Sequence, residues 1–468
     1  VKHSFLPTDA TRITQSPSMG VSAPMSSKPT ATQSPSSTDA SRRGFLKASA
    51  IAGAVATLPI ARSAHAQGSD TIRLGLIGCG GRGTGAAGQA LDTNSDSNRV
   101  KLTAMADPFQ FRADQALKEL KKNHEKHVDA KVFIGVDGYK EVLASDVDMV
   151  ILTSPPGFRP LHFEAAVKAG KHVFMEKPVA TDAPGVRRVL EANKIAKEKN
   201  LIVQVGLQRR HQTDYKSTIK MLQEGAIGDI ILARAYWNGD GVWTRNRQEG
   251  QTELEYQLNN WYYFNWLSGD HICEQHIHNL DVINWLMNGY PSEAQGQGGR
   301  QVRTGEDSGQ IFDHHFVEFT YPNGTKMLSQ CRHIPGCWNA VSEFAHGTNG
   351  WCDISGGKIY NKKNEIVWRA PAGENGWAQE HVDMFAALRR GETPNEGDYG
   401  ATSTMTSIMG RMATYTGKPL KWDQCLNSKI ALANFDAIDS FDDEAPIEPG
   451  KDGKYWVPTP GQDPELVV

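Results

Sequence analysis

Apolar positions change rhythm several times along this chain, and the rhythm divides it. Residues 1–40 carry Ser, Thr and Pro with almost no apolar periodicity, which predicts disorder. From residue 72 the pattern becomes dense. Residues 72–77 read as a buried strand and residues 86–91 as an Ala-rich helix. Strands follow over 100–106, 131–133, 148–152, 172–175 and 202–205. Helices over 160–169, closed by Gly170, and over 184–198 alternate with them. Such alternation predicts a doubly wound parallel sheet covered on both faces. Beyond residue 208 the strands shorten or alternate, over 230–237, 309–319, 325–332, 340–346, 357–360 and 365–369. These predict an α+β domain with an open, mainly antiparallel sheet. Helices follow over 380–387 and 402–416, the second ended by Gly417. The expected divisions are 1–69, 70–207, 208–375, 376–425 and a tail over 426–468, acidic and in part Pro/Gly-rich, which is expected to wrap a neighbouring subunit.

The leader changes character after residue 40. Ser41-Arg42-Arg43-Gly44-Phe45-Leu46-Lys47 precedes a mild apolar run over 48–60 and then Ala64-His65-Ala66. Motif, run and cleavage site in this order are similar to a twin-arginine export signal. The expectation is a periplasmic or otherwise exported protein that engages the twin-arginine machinery. That route moves folded proteins, so a nucleotide acquired before export has to be tightly held. No other apolar run reaches the length of a membrane span.

Composition narrows the picture. The 468 residues suit two domains, and a net charge of -3 supplies no basic excess for nucleic acid. Among the six cysteines no pair has CxxC spacing, which argues against a zinc ribbon; Cys331, Cys337 and Cys352 are the nearest candidates for a disulfide. Aromatic residues gather between Tyr236 and Trp285, and flat aromatic faces suit the apolar faces of sugar rings. The polar, aromatic stretch 239–266 offers Trp243, Tyr262 and Trp266 as candidate substrate contacts.

The first strand runs into Gly78-Cys79-Gly80-Gly81-Arg82-Gly83, a GxGxxG loop ahead of a helix. Gly78 allows a tight turn, Gly80 lets the backbone approach a pyrophosphate, and Gly83 allows close helix–strand contact. The second strand ends at Asp107, placed to accept ribose hydroxyls and to repel a 2′-phosphate. NAD is therefore expected, with Arg112 nearby keeping NADP as the alternative. Gly78, Asp107, Pro155 and Lys177 all fall at C-terminal strand ends and should line one crevice.

With those residues in view, the chain resembles the glucose-fructose oxidoreductase / inositol dehydrogenase (Gfo/Idh/MocA) family. The resemblance rests on the loop 78–83, the segment 153–162, Gly170-Lys171-His172-Val173-Phe174-Met175-Glu176-Lys177-Pro178, the segment 269–281, and Gly410-Arg411-Met412-Ala413-Thr414-Tyr415-Thr416-Gly417-Lys418-Pro419. It implies cofactor contacts from Gly81, Arg82, Thr153, His162 and Glu176 as well. It implies that Lys177 holds the reacting hydroxyl, where an ammonium stabilises a developing alkoxide. The family's D-x-G-x-H-x-x-D pattern reads here Glu274-Gln275-His276-Ile277-His278-Asn279-Leu280-Asp281. His278 takes the catalytic histidine's place, Glu274 stands for the Asp, and His276 departs from the Gly. On one helix the spacing of four would put Glu274 and His278 on the same face. His276, Asp281, Arg209 and His211 are the further expected substrate contacts. The resemblance also implies a homodimer or homotetramer, and last helices that return to the first domain.

A metal reading of His271, His276 and His278 with Glu274, and of His314 and His315 beside them, lacks an HExxH, and His276 and His278 would lie about 200° apart on a helix. No metal is expected. The leading expectation is hydride transfer between a nicotinamide and a secondary hydroxyl of a sugar or polyol, with His278 as base or acid. Two alternatives stay open. One is glycoside cleavage through a transient keto-sugar, with Glu274, His276 or a tyrosine in 256–263 as second base. The other is a non-enzymatic sugar-binding protein.

Overall fold

The structure, a computed structural model, describes residues 71–462. The leader and its twin-arginine motif lie outside the described residues. The first domain runs β1 (Thr71–Ile77), α1 (Gly81–Asp92), β2 (Arg99–Asp107), α2 (Gln110–His124), β3 (Val128–Ile134), α3 (Gly138–Ala144), β4 (Met149–Leu152), α4 (Arg159–Lys168), β5 (His172–Met175), α5 (Ala183–Glu198) and β6 (Val203–Val205). Among the described residues its strands form a six-stranded parallel sheet in the order β3-β2-β1-β4-β5-β6. The order reverses between β1 and β4, and a crevice opens beyond the strand ends at such a point.

Side-chain alternation makes both layers. Ile72, Leu74 and Leu76 of β1 pack with Ala86, Ala87 and Ala90 of α1 on one face. Val150, Leu152, Val173 and Met175 pack with Phe163 and Val189 on the other. Each fully buried aliphatic side chain contributes roughly 1.5–3 kcal/mol. In β2 the register against β1 slips between Leu74 and Gly75, with Thr103 as the extra residue. Val100 and Leu102 therefore share a layer with Met105, while Ala104 and Ala106 join the opposite one. A bulge of this kind flips every later side chain, and here it sets the orientation in which Asp107 leaves the strand.

The second domain runs α6 (Thr213–Gln223), β7 (Ile230–Gly239), α7 (Glu253–Asn259), α8 (Asn265–Ser268), α9 (His271–Glu274), α10 (Ile277–Met287), β8 (Glu293–Gly299), β9 (His314–Thr320), β10 (Lys326–His333), β11 (Ala340–Gly347), β12 (Gly350–Asp353), β13 (Lys358–Asn361) and β14 (Ile366–Arg369). Then follow α11 (Gly376–Arg389), α12 (Gly397–Thr416), β15 (Leu420–Lys421) and α13 (Trp422–Leu426). The nine-stranded sheet has the order β14-β13-β12-β11-β7-β10-β9-β8-β15 and is antiparallel except where β7 meets β10. Ile272, Ile277 and Leu280 cover one face by packing against Val317, Phe319, Met327 and Ala345.

The last helices stay with the first domain's sheet as much as with the second's. Met384, Phe385 and Leu388 of α11 join the layer that holds Phe174 and Ile202, and the His381 ring lies 4.4 Å from the Phe174 ring. α12 packs on α5 and on β8.

Several expectations need correction. The strand expected from residue 309 begins at His314, because Gly309 turns the chain at φ +54 and Gln310 N–H binds the Tyr263 carbonyl. β8 and β12 were not anticipated. β8 reads Glu-Ala-Gln-Gly-Gln-Gly-Gly, and its glycines let α12 close in: a Cβ on Gly296 would stand 3.0 Å from Thr414 Cγ2. The tail, as far as residue 462, packs on its own chain. Phe435 packs on Phe158 and Trp266, Phe441 on Phe109, and Tyr455 on Phe264. The six cysteines are free thiols. Among the described residues no helix is long and apolar enough to cross a membrane.

Candidate functional site

The glycine loop packs as its spacing requires. Gly78 has φ +97, and a Cβ there would stand 2.5 Å from the Ser154 amide nitrogen. A Cβ on Gly83 would stand 2.0 Å from the Gly78 carbonyl oxygen. Gly81 has open space, and the first turn of α1 has no side-chain cap, so its N–H groups face outward from the positive end of the helix. These are the properties of a pyrophosphate cradle. Asp107 braces it: Oδ2 accepts from Cys79 N–H at 2.7 Å and Oδ1 from Phe109 N–H at 2.9 Å. Burial raises its pKa, opposed by those two hydrogen bonds and by Arg112. Each carboxylate oxygen keeps a further lone pair for a ribose hydroxyl. Arg112 is committed to the Asn259 side chain at 2.8 Å and stacks on Phe109.

Gly78, Gly80, Gly81, Arg82, Gly83, Asp107, Thr153, Pro155 and His162 all line one cavity of about 300 Å³, with Tyr139, Arg245 and Trp243 closing it. His162 is held by Ser154 Oγ at 3.0 Å, and burial, then Arg159, lowers its pKa to about 3. The cavity's shape, donors and apolar walls fit an adenine dinucleotide.

A second cavity of about 290 Å³ adjoins it, with Arg82, Thr153, Ser154 and Trp261 common to both. Glu176, Lys177, Glu274, Gln275 and His278 line it with Trp237 and Trp377. Lys177, delivered just beyond β5, donates from Nζ to Glu274 Oε1 at 3.0 Å and to the Glu274 carbonyl. Glu176 pairs with Arg82 Nε at 2.9 Å. The His278 ring stacks on Trp237 at 5.9 Å, and its Nδ1 is buried without a hydrogen-bond partner. Burial, then the charges of Lys177 and Arg209, hold its pKa well below 6.5. His278 is therefore a neutral imidazole, able to accept a proton at neutral pH. Because a base works in its neutral form, the oxidation rate should show no inflection near pH 6.5 as pH falls; a kcat/KM profile from pH 5 to 8 checks this.

The segment carrying Glu274 and His278 is not one helix. α9 ends at Glu274 and α10 begins at Ile277, so the same-face argument is replaced by a break that turns both side chains to one cavity. The remaining expected contacts lie elsewhere. Trp243 stands in the dinucleotide cavity, 41% exposed, under Arg245. Trp266 is buried and donates Nε1–H to Gln257 Oε1 at 2.8 Å. His276 turns to the sheet and meets Ser329 Oγ at 2.8 Å. Asp281 is committed to Arg210, at 2.8 and 2.9 Å, and to Ser403. Arg209 pairs with buried Glu343. Tyr262 is buried and stacks with His333. Among these, Trp266, His276, Asp281, Arg209 and Tyr262 line neither cavity.

His211 bridges Asp383 at 2.8 Å and Glu396 at 3.1 Å. Burial lowers its pKa, but the hydrogen bonds and charges of Glu396 and Asp383 outweigh this and the net shift is upward from 6.5. A raised pKa contributes stability that is complete below about pH 6.5 and fades as pH rises through the folded value. His211→Ala should therefore lower Tm more at pH 6 than at pH 9, in paired thermal melts.

Sequence reasoning missed Trp237, Gln275 and Trp377 in the second cavity. Trp377, just after the Asn375 cap of α11, reaches the site only because that helix returns to the first domain. A buried cluster of Asp270, His271 and His315 offers metal-ligand atoms within 4.8 Å of one another. Hydrogen bonds explain its carboxylate: Asp270 accepts from His271 N–H and Nδ1, Phe312 N–H and the Tyr415 hydroxyl.

Residues 72–207 match the domain described as "Oxidoreductase family, NAD-binding Rossmann fold", and residues 215–352 match the "GFO/IDH/MocA C-terminal domain". The chain is 32% identical over 201 residues to inositol 2-dehydrogenase of Klebsiella pneumoniae (strain 342), covering 42% of this chain and 51% of that one. It is 27% identical over 219 residues to inositol 2-dehydrogenase/D-chiro-inositol 3-dehydrogenase of Halalkalibacterium halodurans, covering 46% and 53%. The chain thus spans about half the length of the curated relatives it matches. Its fold is similar to scyllo-inositol dehydrogenase from Lactobacillus casei with bound NAD(H) and scyllo-inositol, at TM-score 0.57 and 21% identity, covering 75% of this chain and 99% of that one. It is also similar to aldose-aldose oxidoreductase from Caulobacter crescentus, at TM-score 0.58 and 17% identity, with the same coverage. With both of its domains matched, the chain belongs to the Gfo/Idh/MocA family of oxidoreductases, and its first domain is that family's NAD-binding Rossmann domain.

Proposed function

We propose that this protein transfers a hydride between NAD and a secondary hydroxyl of a sugar or polyol. The observation that carries the reading is the meeting of Lys177, Glu274 and His278 in a cavity that opens onto the glycine-loop cleft. NAD, when bound, supplies the hydride acceptor at its nicotinamide. The chain's own residues supply the rest. The glycine loop and the α1 N-terminus hold the pyrophosphate, and Asp107 takes the ribose. Lys177, fixed by Glu274, binds the substrate oxygen and stabilises the charge that grows there as its proton leaves. Neutral His278 accepts that proton, so the carbon gives up a hydride and the hydroxyl becomes a carbonyl. Trp237, Trp261 and Trp377 supply flat apolar walls for a ring.

The inositol dehydrogenases among the relatives favour a cyclic polyol or sugar as substrate. The test incubates purified protein and NAD with inositols, aldoses and p-nitrophenyl glycosides, following absorbance at 340 nm and nitrophenol release. Reduction of NAD with one polyol or sugar is the expected result. Nitrophenol release without net NADH would replace the reading by glycoside cleavage.

Two further parts of the reading rest on the same chain. Ser41–Lys47 and Ala64–Ala66 support export through the twin-arginine route with the nucleotide tightly held. The open face of the larger sheet, with exposed Phe316 and with exposed Trp338 over Tyr236, supports assembly into a homodimer or homotetramer. Fractionation of cells carrying Arg42→Lys/Arg43→Lys and sedimentation of the purified protein decide these points.

A further inference from the structure

Behind the second cavity lies a hydrogen-bonded chain that the reaction does not use. Arg303 NH2 stands 2.7 Å from His333 Nδ1, and His333 Nε2 stands 2.8 Å from Gln275 Oε1. Donor and acceptor roles along this chain follow from one residue. A guanidinium can only donate, so His333 Nδ1 has to accept and carries no proton. Burial, then His271 and Arg303, depress the His333 pKa, so the ring is neutral and its single proton sits on Nε2. A donor at Nε2 requires an acceptor opposite, which fixes the amide of Gln275 with its oxygen toward His333. Its NH2 group is then turned away from the histidine, on a residue that lines the cavity, and it has no hydrogen-bond partner among the described residues.

Both Arg303 and His333 are held by further contacts. Arg303 donates to the Phe312 carbonyl, and its guanidinium lies 5.1 Å from the Tyr263 ring. The His333 ring is sandwiched between His271 at 4.4 Å and Tyr262 at 6.1 Å. The break between α9 and α10 brings Gln275 to the cavity between Glu274 and His278.

We propose that Gln275 is a substrate-binding and specificity-determining residue, a hydrogen-bond donor locked in orientation by Arg303 through His333, which recognises an acceptor oxygen of the sugar or polyol. This rests on the reading of the second cavity as the substrate site. Arg303 and His333 are positioning residues. They hold the donor before substrate arrives, so its orientation costs nothing at binding. A site built around a fixed polar partner discriminates strongly against ligands that cannot satisfy it.

The experiment compares wild type, Gln275→Glu and Gln275→Ala, and also records 15N shifts of the His333 ring in labelled, NAD-loaded wild type. Glutamate keeps the size and the bond to His333 but turns an acceptor toward the substrate's acceptor oxygen. The KM for whichever of myo-inositol, scyllo-inositol or D-glucose the wild type oxidises should rise at least about tenfold in Gln275→Glu, and more than in Gln275→Ala. A purely structural role predicts the reverse order, since alanine removes more packing. KM rising more in the alanine variant, or in neither, overturns the proposal. If the wild type oxidises none of the three, the proposed function loses its support while the ring shifts still decide this inference. An Nε2–H tautomer upholds the locked donor, and an Nδ1–H tautomer sinks it.

Discussion

His278→Ala is expected to lower kcat by about 10²–10⁴-fold, the range that a positioned general base contributes, with NADH affinity unchanged. The imidazole is held neutral by burial and by Lys177, its ring is fixed against Trp237, and it lines the cavity that holds the Lys177–Glu274 pair. No other described histidine lines that cavity. Steady-state rates with a substrate found in the panel, beside a fluorescence titration with NADH, separate the two effects. A kcat within tenfold of wild type would remove His278 from the proton-transfer role and leave it a packing residue.

Gly83→Ala should have the second large effect, on nucleotide binding. Its methyl would stand 2.0 Å from the Gly78 carbonyl and 2.5 Å from Thr153 Oγ1. The first neighbour is backbone, so α1 has to move away from the β1 turn. Overpacking of this kind costs on the order of 1–3 kcal/mol, and the displaced α1 N-terminus no longer aims its N–H groups at the pyrophosphate. NADH affinity should fall by about tenfold to a hundredfold. Titration of NADH fluorescence, with a thermal melt to show that the variant is folded, measures it. Unchanged affinity in a folded variant would mean that the cradle does not bind phosphate.

What could be read from the chain alone was what is local. The strand, glycine loop and helix of residues 71–92 are contiguous, and the approach of Gly83 to the Gly78 carbonyl follows from their spacing. The Lys177 turn is similar in kind. The α9–α10 break was not legible, because residues 274–281 contain no glycine or proline to announce it. At the break the side chains are held from far along the chain, Gln275 by His333 and His276 by Ser329. Trp266 misled for the same reason. Its surroundings in sequence look like a sugar site, yet Gln257 and Phe435 enclose it. β8 carried no alternation to read, since its side-chain pattern is replaced by glycines that admit α12.

The return of α11 to the first sheet has a consequence for how the molecule is made. Phe174 and Ile202 are covered by Met384, Phe385 and Leu388, which leave the ribosome some two hundred residues after the strands they cover. A nascent chain that has just completed β6 therefore exposes an apolar strip along β5 and β6. The nucleotide-binding unit cannot mature first and wait for its companion; it stays open on one flank until the substrate domain has been synthesised and the chain has come back. Both domains thus finish folding together, and a shortened chain ending after β6 should aggregate where the full chain does not.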